Sequence, residues 1–385
     1  QLGLFDNPYG RGSAESADVI AARRKLARDA GARSVVMLKN DAGALPILSG
    51  KLALIGPLAD NQGDMRGCWS AAGRPEDCVS VLSGLRAALP GQEIAYAQGV
   101  AIDGDDESGI AQAVALCEGA DTVILCLGES AAMSGEAASR AHPHLPGKQL
   151  ALARAVMARA RNKRVIAVLF SGRPLVVPEL VAGANAVLAA WAPGSEAGNA
   201  LADVLLGKVS PSGKTPVTWP RAVGQIPIFY DERSGGRPLN PADHYTSKYL
   251  DEVNTPLFPF GHGLSYGDFV YADLNVSPVE ARETDSFTVK VTLINHGLRE
   301  ASETVFLFIH DKVARIARPM LELKGFDRIT LRPGESGVVT FTLPAQALKF
   351  PGLDFNPLYE PGEIEILAGP SADRSRMLAV TTRLV

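Results

Sequence analysis

The amino-acid sequence predicts an α/β domain with a largely parallel sheet, followed by an all-β, immunoglobulin-like sandwich. Three observations carry this fold class. Continuous apolar runs such as Val123 to Leu127 and Val165 to Phe170 alternate with helix-periodic stretches up to Gly207. Runs apolar on both faces fit strands covered from both sides, as in parallel α/β sheets. From about Val270 the texture changes to strict apolar–polar alternation, as in Thr288 to Ile294 and Gly337 to Leu343. Between the two lies a stretch rich in Pro and Gly. The predicted division is an α/β sandwich over 1–207, a wrapping and linker segment over 208–268, and the β-sandwich over 269–385.

Taken in order, residues 13 to 32 predict a helix, with Val19, Ile20, Ala22, Leu26 and Ala30 at helical spacing and Ser13 or Ser16 as cap. Val35 to Leu38 and Lys51 to Ile55 read as strands, the second ending at Gly56-Pro57. The Gly-, Asp- and Asn-rich loop that follows contains Trp69. This ring reads either as an anchor packing on the sheet or as a platform for the apolar face of a sugar. Val81 to Leu89 predicts a helix, Glu93 to Ala97 a strand and Ile110 to Cys117 a helix leading into the strand at Val123. Lys148 to Arg161 is helical. Val165 to Phe170 and Asn185 to Trp191 are strands, and Ala200 to Leu206 closes the domain as a helix. Alternation at this spacing means a layered α/β domain.

The segment after Lys208 has little periodicity, but its aromatics argue for an ordered wrap around the first domain. In the last region Asn295-His-Gly297 and Arg332-Pro-Gly334 are turns between strands. About seven short strands fit an immunoglobulin-like sandwich, and the lack of a Cys–Trp–Cys pattern leans it towards the fibronectin type III variety. Nothing in it looks catalytic.

At 385 residues the chain holds about two or three domains. Its 46% apolar and 21% charged residues describe an ordinary globular protein. A net charge of −4 and a pI near 5.9 argue against nucleic-acid or anionic-membrane partners. No run has the length to span a bilayer. The start, Gln1 to Tyr9, has no charged n-region, no apolar h-region and no Met, so the chain reads as a processed or truncated product. Cys117 and Cys126 fall in apolar settings as small core residues. Cys68 and Cys78 share one loop and could close a disulfide in an oxidising compartment. The pair Asp105-Asp106 reads as a solvated acidic loop rather than a metal site, and no metal or cofactor is expected.

The stretch richest in chemistry follows the strand at Val123. After Gly128 a loop of small residues carries Glu129, Glu136 and Arg140, followed by His142 and His144. Ligands meet parallel sheets at such carboxyl ends. The loop therefore reads either as a substrate site or as a solvated loop whose Glu residues cap the next helix. A nucleotide-binding reading is weak: no GxGxxG follows a strand, and Pro211 to Thr215 lacks the spacing of a P-loop.

Several motifs, in one order, resemble glycoside hydrolase family 3. They are Ser34 to Asn40 with Leu45-Pro46, Gly128-Glu-Ser130, Met133-Ser-Gly-Glu-Ala-Ala-Ser-Arg140, Ser171-Gly-Arg-Pro174, Trp191 to Gly198, Asp203 to Gly207, Pro211 to Pro216 and Phe260 to Tyr266. The resemblance implies the carboxy-terminal part of a bacterial-type β-glucosidase, with a barrel domain outside this chain. By that resemblance the enzyme is retaining and exo-acting, removing terminal β-D-glucosyl residues, with β-xylosidase activity as a variant. The family's nucleophile is an Asp in a Ser-Asp-Trp-like barrel motif, absent here, and its acid/base is a Glu on a loop of the α/β domain. Glu136 is the expected acid/base, and Glu129 is the runner-up or a supporting carboxylate. Arg140 would orient Glu136 or bind sugar hydroxyls and Trp69 would line the aglycone side, while His142 reads either as a sugar contact or as a surface His. Arg173 and Glu196 read as internal ion-pair partners, and His262 as the fixer of a turn. Expected partners are a β-glucoside or cello-oligosaccharide, the barrel and a second copy in a homodimer; the expected location is periplasmic or secreted. As an isolated fragment, the alternative is a noncatalytic carbohydrate-binding or interaction module.

Overall fold

The computed structural model describes residues 3–9, 15–70 and 72–385. Helix α1 (Ala17–Ser34) is capped by Ser16, whose hydroxyl accepts the Val19 N–H; Ser13 lies outside the described residues. Then come β1 (Val36–Asn40), β2 (Leu52–Ile55), α2 (Val81–Ala88), β3 (Ile94–Ala97), α3 (Ile110–Ala115), β4 (Thr122–Gly128), α4 (Gln149–Arg159), β5 (Arg164–Phe170), α5 (Pro178–Gly183), β6 (Ala186–Ala189) and α6 (Ala197–Leu205). The strands form one sheet in the order β1-β6-β5-β4-β2-β3. All its pairings are parallel except that of β1 with β6.

The apolar runs explain both faces. Leu52, Leu54, Ile124 and Cys126 point into a core with α2 and α6, whereas Ala53, Ile55, Val123, Leu125 and Leu127 point into one with α3, α4 and α5. Period-two alternation sends neighbours to opposite faces, so a strand covered on both must be apolar throughout. Among the described helices and strands of this sheet domain, only α5 has no counterpart in the sequence reading. It is one short turn-and-a-half behind a helix-starting Pro178, too brief to show a period.

The sandwich holds β7 (Phe269–Ser277), β8 (Glu280–Ala281), β9 (Ser286–Asn295), β10 (Ala301–Asp311), β11 (Glu322–Leu331), β12 (Ser336–Pro344), β13 (Phe350–Pro351), β14 (Pro357–Leu358), β15 (Gly362–Gly369) and β16 (Leu378–Leu384). Its main sheets are β11-β10-β15-β16-β8 and β12-β9-β7, facing each other across Phe287, Val289, Val291, Val305, Leu307 and Ile366. The segment from 208 to 268 connects and clamps. Trp219 is fully buried in the α/β core and donates its Nε1–H to the Leu175 carbonyl at 2.7 Å. Lys214 reaches both the Gly263 carbonyl (2.8 Å) and Glu303 of β10 (2.6 Å). Tyr266 donates its hydroxyl to the Val204 carbonyl of α6 at 2.7 Å.

His262 does more than fix a turn. Its Nε2 lies 2.8 Å from the Leu38 carbonyl of β1, so that nitrogen carries the proton, and its ring stacks on Phe258 at 4.8 Å. Burial pushes its pKa down from 6.5 to about 4, against the opposing pull of the Leu38 carbonyl. An unfolded chain takes up this proton near pH 6.5, and the folded one only near pH 4. The stabilisation is therefore complete above pH 6.5 and is lost as pH falls towards 4, by about 3 kcal/mol in all. The urea stability of the chain minus that of His262→Phe, followed from about pH 7 to pH 4, should shrink by roughly that amount. A constant difference would show that the imidazole does not stay neutral.

Candidate functional site

Strands β2 and β4 are adjacent and parallel, with Ile55 opposite Leu125, yet the chain leaves them in opposite directions. After β2 it turns to α2 on one face; after β4 it runs to α4 on the other. This is a topological switch point, where the two departing loops part and leave a crevice. Both strands end in glycine at positive φ: Gly56 (126°) and Gly128 (146°). A side chain at Gly56 would collide with the Cys126 carbonyl, and one at Gly128 with the Phe170 carbonyl. The loop after β2 carries Trp69 and the loop after β4 carries Glu136. Asp64 ties the two together, its Oδ1 accepting the Ala131 N–H at 2.7 Å while Asn61 holds its other oxygen at 2.8 Å.

The base of the β4 loop is closed by Gln149, the first residue of α4. Fully buried, it accepts the Gly128 N–H (2.8 Å) and donates to the Gly128 carbonyl (2.7 Å) and to the Ile102 carbonyl (2.7 Å). Next to it, the Glu129 carboxylate has no solvent exposure and lies between two guanidiniums. Arg140 Nη1 is 2.7 Å from Oε1 and Arg173 Nε is 3.2 Å from Oε2. Arg140 also donates to the His144 carbonyl at 2.9 Å, and Arg173 to the carbonyls of Met133 and Ala138, the latter at 2.8 Å. A buried carboxylate with both oxygens paired is a structural anchor.

Glu136 is the opposite case. It is exposed at the outer end of the loop, between Gly135 (φ 99°) and Ala137 (φ 57°). Ala137 in the left-handed region costs about 1 kcal/mol, a strain of the kind found where a side chain is held for a task. Across from it, Cys68 and Trp69 pack against Gly135. Trp69, Glu136 and Arg66 line one cleft of about 700 Å³. The Arg66 Nε and Nη1 are buried there with no hydrogen-bond partner among the described residues.

Several expectations change here. Trp69 is 74% exposed, so the anchor reading fails and its ring stands open to the cleft. Arg140 does not reach Glu136; Glu129 and the His144 carbonyl hold it on the inner side of the loop, where opposite charge and burial outweigh proximity in sequence. Arg140 and exposed His142 line an adjoining hollow of about 490 Å³ with Asp103 and His144, which shares Ala132 and Ala137 with the cleft of Trp69 and Glu136. The structure thus brings Trp69 and Glu136 to one cleft, pairs Arg140 with buried Glu129, and places His142 in the adjoining hollow. Cys68 and Cys78 are free thiols, Cys68 facing Gly135 and Cys78 buried. Arg173 and Glu196 are internal partners, Glu196 of Arg24 and Asn199. Gln149 and Asp64 were not singled out from sequence. The partners of Gln149, and the Ala131 N–H that Asp64 accepts, are backbone groups distant along the chain, which no local pattern reveals.

The glycosyl hydrolase family 3 C-terminal domain matches residues 35–266, and a fibronectin type III-like domain matches residues 303–372. A periplasmic β-glucosidase of Salmonella typhimurium is 38% identical over 97% of this chain and 52% of its own length. A β-xylosidase of Formosa agariphila is 34% identical over the whole chain and 54% of its own. Among solved structures, a Listeria innocua β-glucosidase in complex with isofagomine superposes with a TM-score of 0.91 at 35% identity, covering 99% of this chain and 53% of that one. An Erythrobacter marinus β-glucosidase gives 0.86 at 33% identity, covering 100% and 53%. The chain spans about half the length of the curated relatives it matches. The α/β domain and the β-sandwich superpose together on these solved β-glucosidases over nearly the whole chain, and the chain belongs to glycosyl hydrolase family 3.

Proposed function

We propose that this chain supplies the general acid/base, Glu136, to a retaining, exo-acting β-glucosidase whose nucleophilic carboxylate comes from a barrel domain outside the chain. One observation carries the reading. Of the two loop carboxylates, Glu129 is buried and paired on both oxygens, while Glu136 is presented at the outer end of the loop opposite the exposed ring of Trp69.

Retaining hydrolysis uses two carboxyl groups roughly 5 Å apart. The first attacks the anomeric carbon. The second gives its proton to the leaving oxygen and then takes one from the water that releases the glucosyl group. Such an acid is prepared by desolvation and by a nearby negative charge. A barrel docked over the exposed cleft supplies both, since it excludes water and brings the nucleophile. Trp69 offers its face to the leaving group, as aromatic rings do to the apolar face of a pyranose. The substrates are oligosaccharides with a terminal non-reducing β-D-glucosyl unit. The location is the periplasm, which is where the Salmonella relative's name places that protein.

The full-length protein, barrel included, should release glucose from an aryl β-glucoside with the β-anomer appearing first by proton NMR, and the 385-residue chain alone should release none. First appearance of the α-anomer, or turnover by the chain alone, would overturn the assignment. Glucoside binding by the chain without turnover in either form would favour a carbohydrate-binding module, the reading that exposed Trp69 also suits.

A further inference from the structure

We infer that Arg173 is the positioning residue for Glu136, setting the place of the acid/base from the end of the neighbouring strand; this rests on the assignment of Glu136 above. Arg173 lies beyond the end of β5, in a different loop from Glu136. Its guanidinium nevertheless makes three connections to the Glu136 loop. Nε pairs with the buried carboxylate of Glu129 at 3.2 Å, at the loop's root. Nη2 donates to the carbonyls of Met133 and Ala138, the latter at 2.8 Å. Those two carbonyls flank Gly135, Glu136 and Ala137. The guanidinium is therefore the chord of a small arc with the acid/base at its outer end.

The backbone of that arc is the strained part of the loop, with Gly135 and Ala137 both at positive φ. A left-handed alanine persists only where surrounding contacts over-determine it. The described contacts that span it are those of Arg173. The other end of the Glu129 carboxylate is held by Arg140, which fixes the return of the chain at the His144 carbonyl. Glu129 thus orients Arg173, and Arg173 orients the arc. The planar fork of a guanidinium fits this task because it can serve a carboxylate on one edge and carbonyls on another, which a lysine ammonium cannot reproduce in one geometry. Arg173 itself bonds to neither Trp69 nor Arg66; Cys68 and Trp69 meet the arc only at Gly135. Losing the chord should therefore misplace the proton donor before it disturbs the aglycone wall.

The consequence is selective. Protonation of the leaving oxygen matters most for poor leaving groups and little for good ones. In the full-length protein, Arg173→Lys and Arg173→Met should lower kcat/KM steeply for methyl β-glucoside and cellobiose, by about 10- to 100-fold, and by less than about 3-fold for dinitrophenyl β-glucoside. Lys should lose less than Met. Glu136→Gln serves as the reference. If Glu136→Gln shows the steep leaving-group dependence and the Arg173 variants instead lose all substrates equally, Arg173 is only a stability residue and the inference is overturned. If Glu136→Gln itself shows no such dependence, the assignment of Glu136 fails first. Independently of activity, amide hydrogen exchange in the 385-residue chain should quicken at 131–140 in Arg173→Met, with the sandwich strands unchanged. Unaltered protection of that arc would equally refute the role.

Discussion

Replacing Glu136 by Gln is expected to lower kcat/KM for cellobiose in the full-length protein by about 10²- to 10⁴-fold, the range that general acid catalysis supplies. An amide cannot donate a proton to the leaving oxygen, so the loss should track the leaving group's basicity. Dinitrophenyl β-glucoside, whose phenolate leaves unaided, should still form the glucosyl intermediate. That intermediate would then accumulate, because the same residue must later act as base for the incoming water. Azide needs no base, so adding it should restore turnover and yield β-glucosyl azide. Folding should be unaffected, since the side chain is exposed and forms none of the loop's internal bonds. Equal losses on good and poor leaving groups, with no azide rescue, would remove Glu136 from the reaction.

The second large effect concerns the wrapping segment. Trp219→Ala should destabilise the protein by about 3–5 kcal/mol, the cost of emptying a large buried aromatic site. The indole is fully buried, edge-on to Phe258 at 6.1 Å and tilted against Trp191 at 5.9 Å. Its backbone pairs with Phe258, so both ends of the wrap meet at this ring. The loss includes the bond from Nε1 to the Leu175 carbonyl, and the next residue, Val176, is bonded to Pro143 and His144 beside the Glu136 loop. Urea or thermal unfolding would measure it. A loss under about 1 kcal/mol would mean that the segment is not seated as described.

The fold was largely legible because its strands announce themselves. Val123 to Leu127 and Val165 to Phe170 are apolar on every residue, and only a doubly covered strand accommodates that. The alternation of β9 and β12 is equally plain. By contrast β11 carries Lys324, Asp327 and Arg328 on a sheet-edge strand, so its period is blurred by charge. The site was legible in part. The resemblance points to this loop, and its preference for Glu136 over Glu129 is the assignment proposed above. It could not foresee that Arg140, four residues from Glu136, turns inward to a carboxylate eleven residues away. For Trp69 the residues alone leave a sheet anchor and a sugar platform both open, and the 74% exposure of the ring decides between them. Side-chain direction in an irregular loop depends on contacts from other strands, and those enter only when the sheet order is known.

The outer side of β1 has a further meaning for where one folding unit ends. That strand pairs with β6 on one flank; on the other, Leu264 donates to the Met37 carbonyl, His262 to the Leu38 carbonyl and Gly213 to the Val35 carbonyl. An uncovered edge is a template for pairing with foreign strands. The residues that cover it come from beyond Gly207, so the portable unit of this architecture runs on to Tyr266 and includes the whole wrap. A boundary drawn where the helices stop would leave a sticky flank. The apparent linker is thus the hem of the sheet, and grafting or dividing the chain has to respect it.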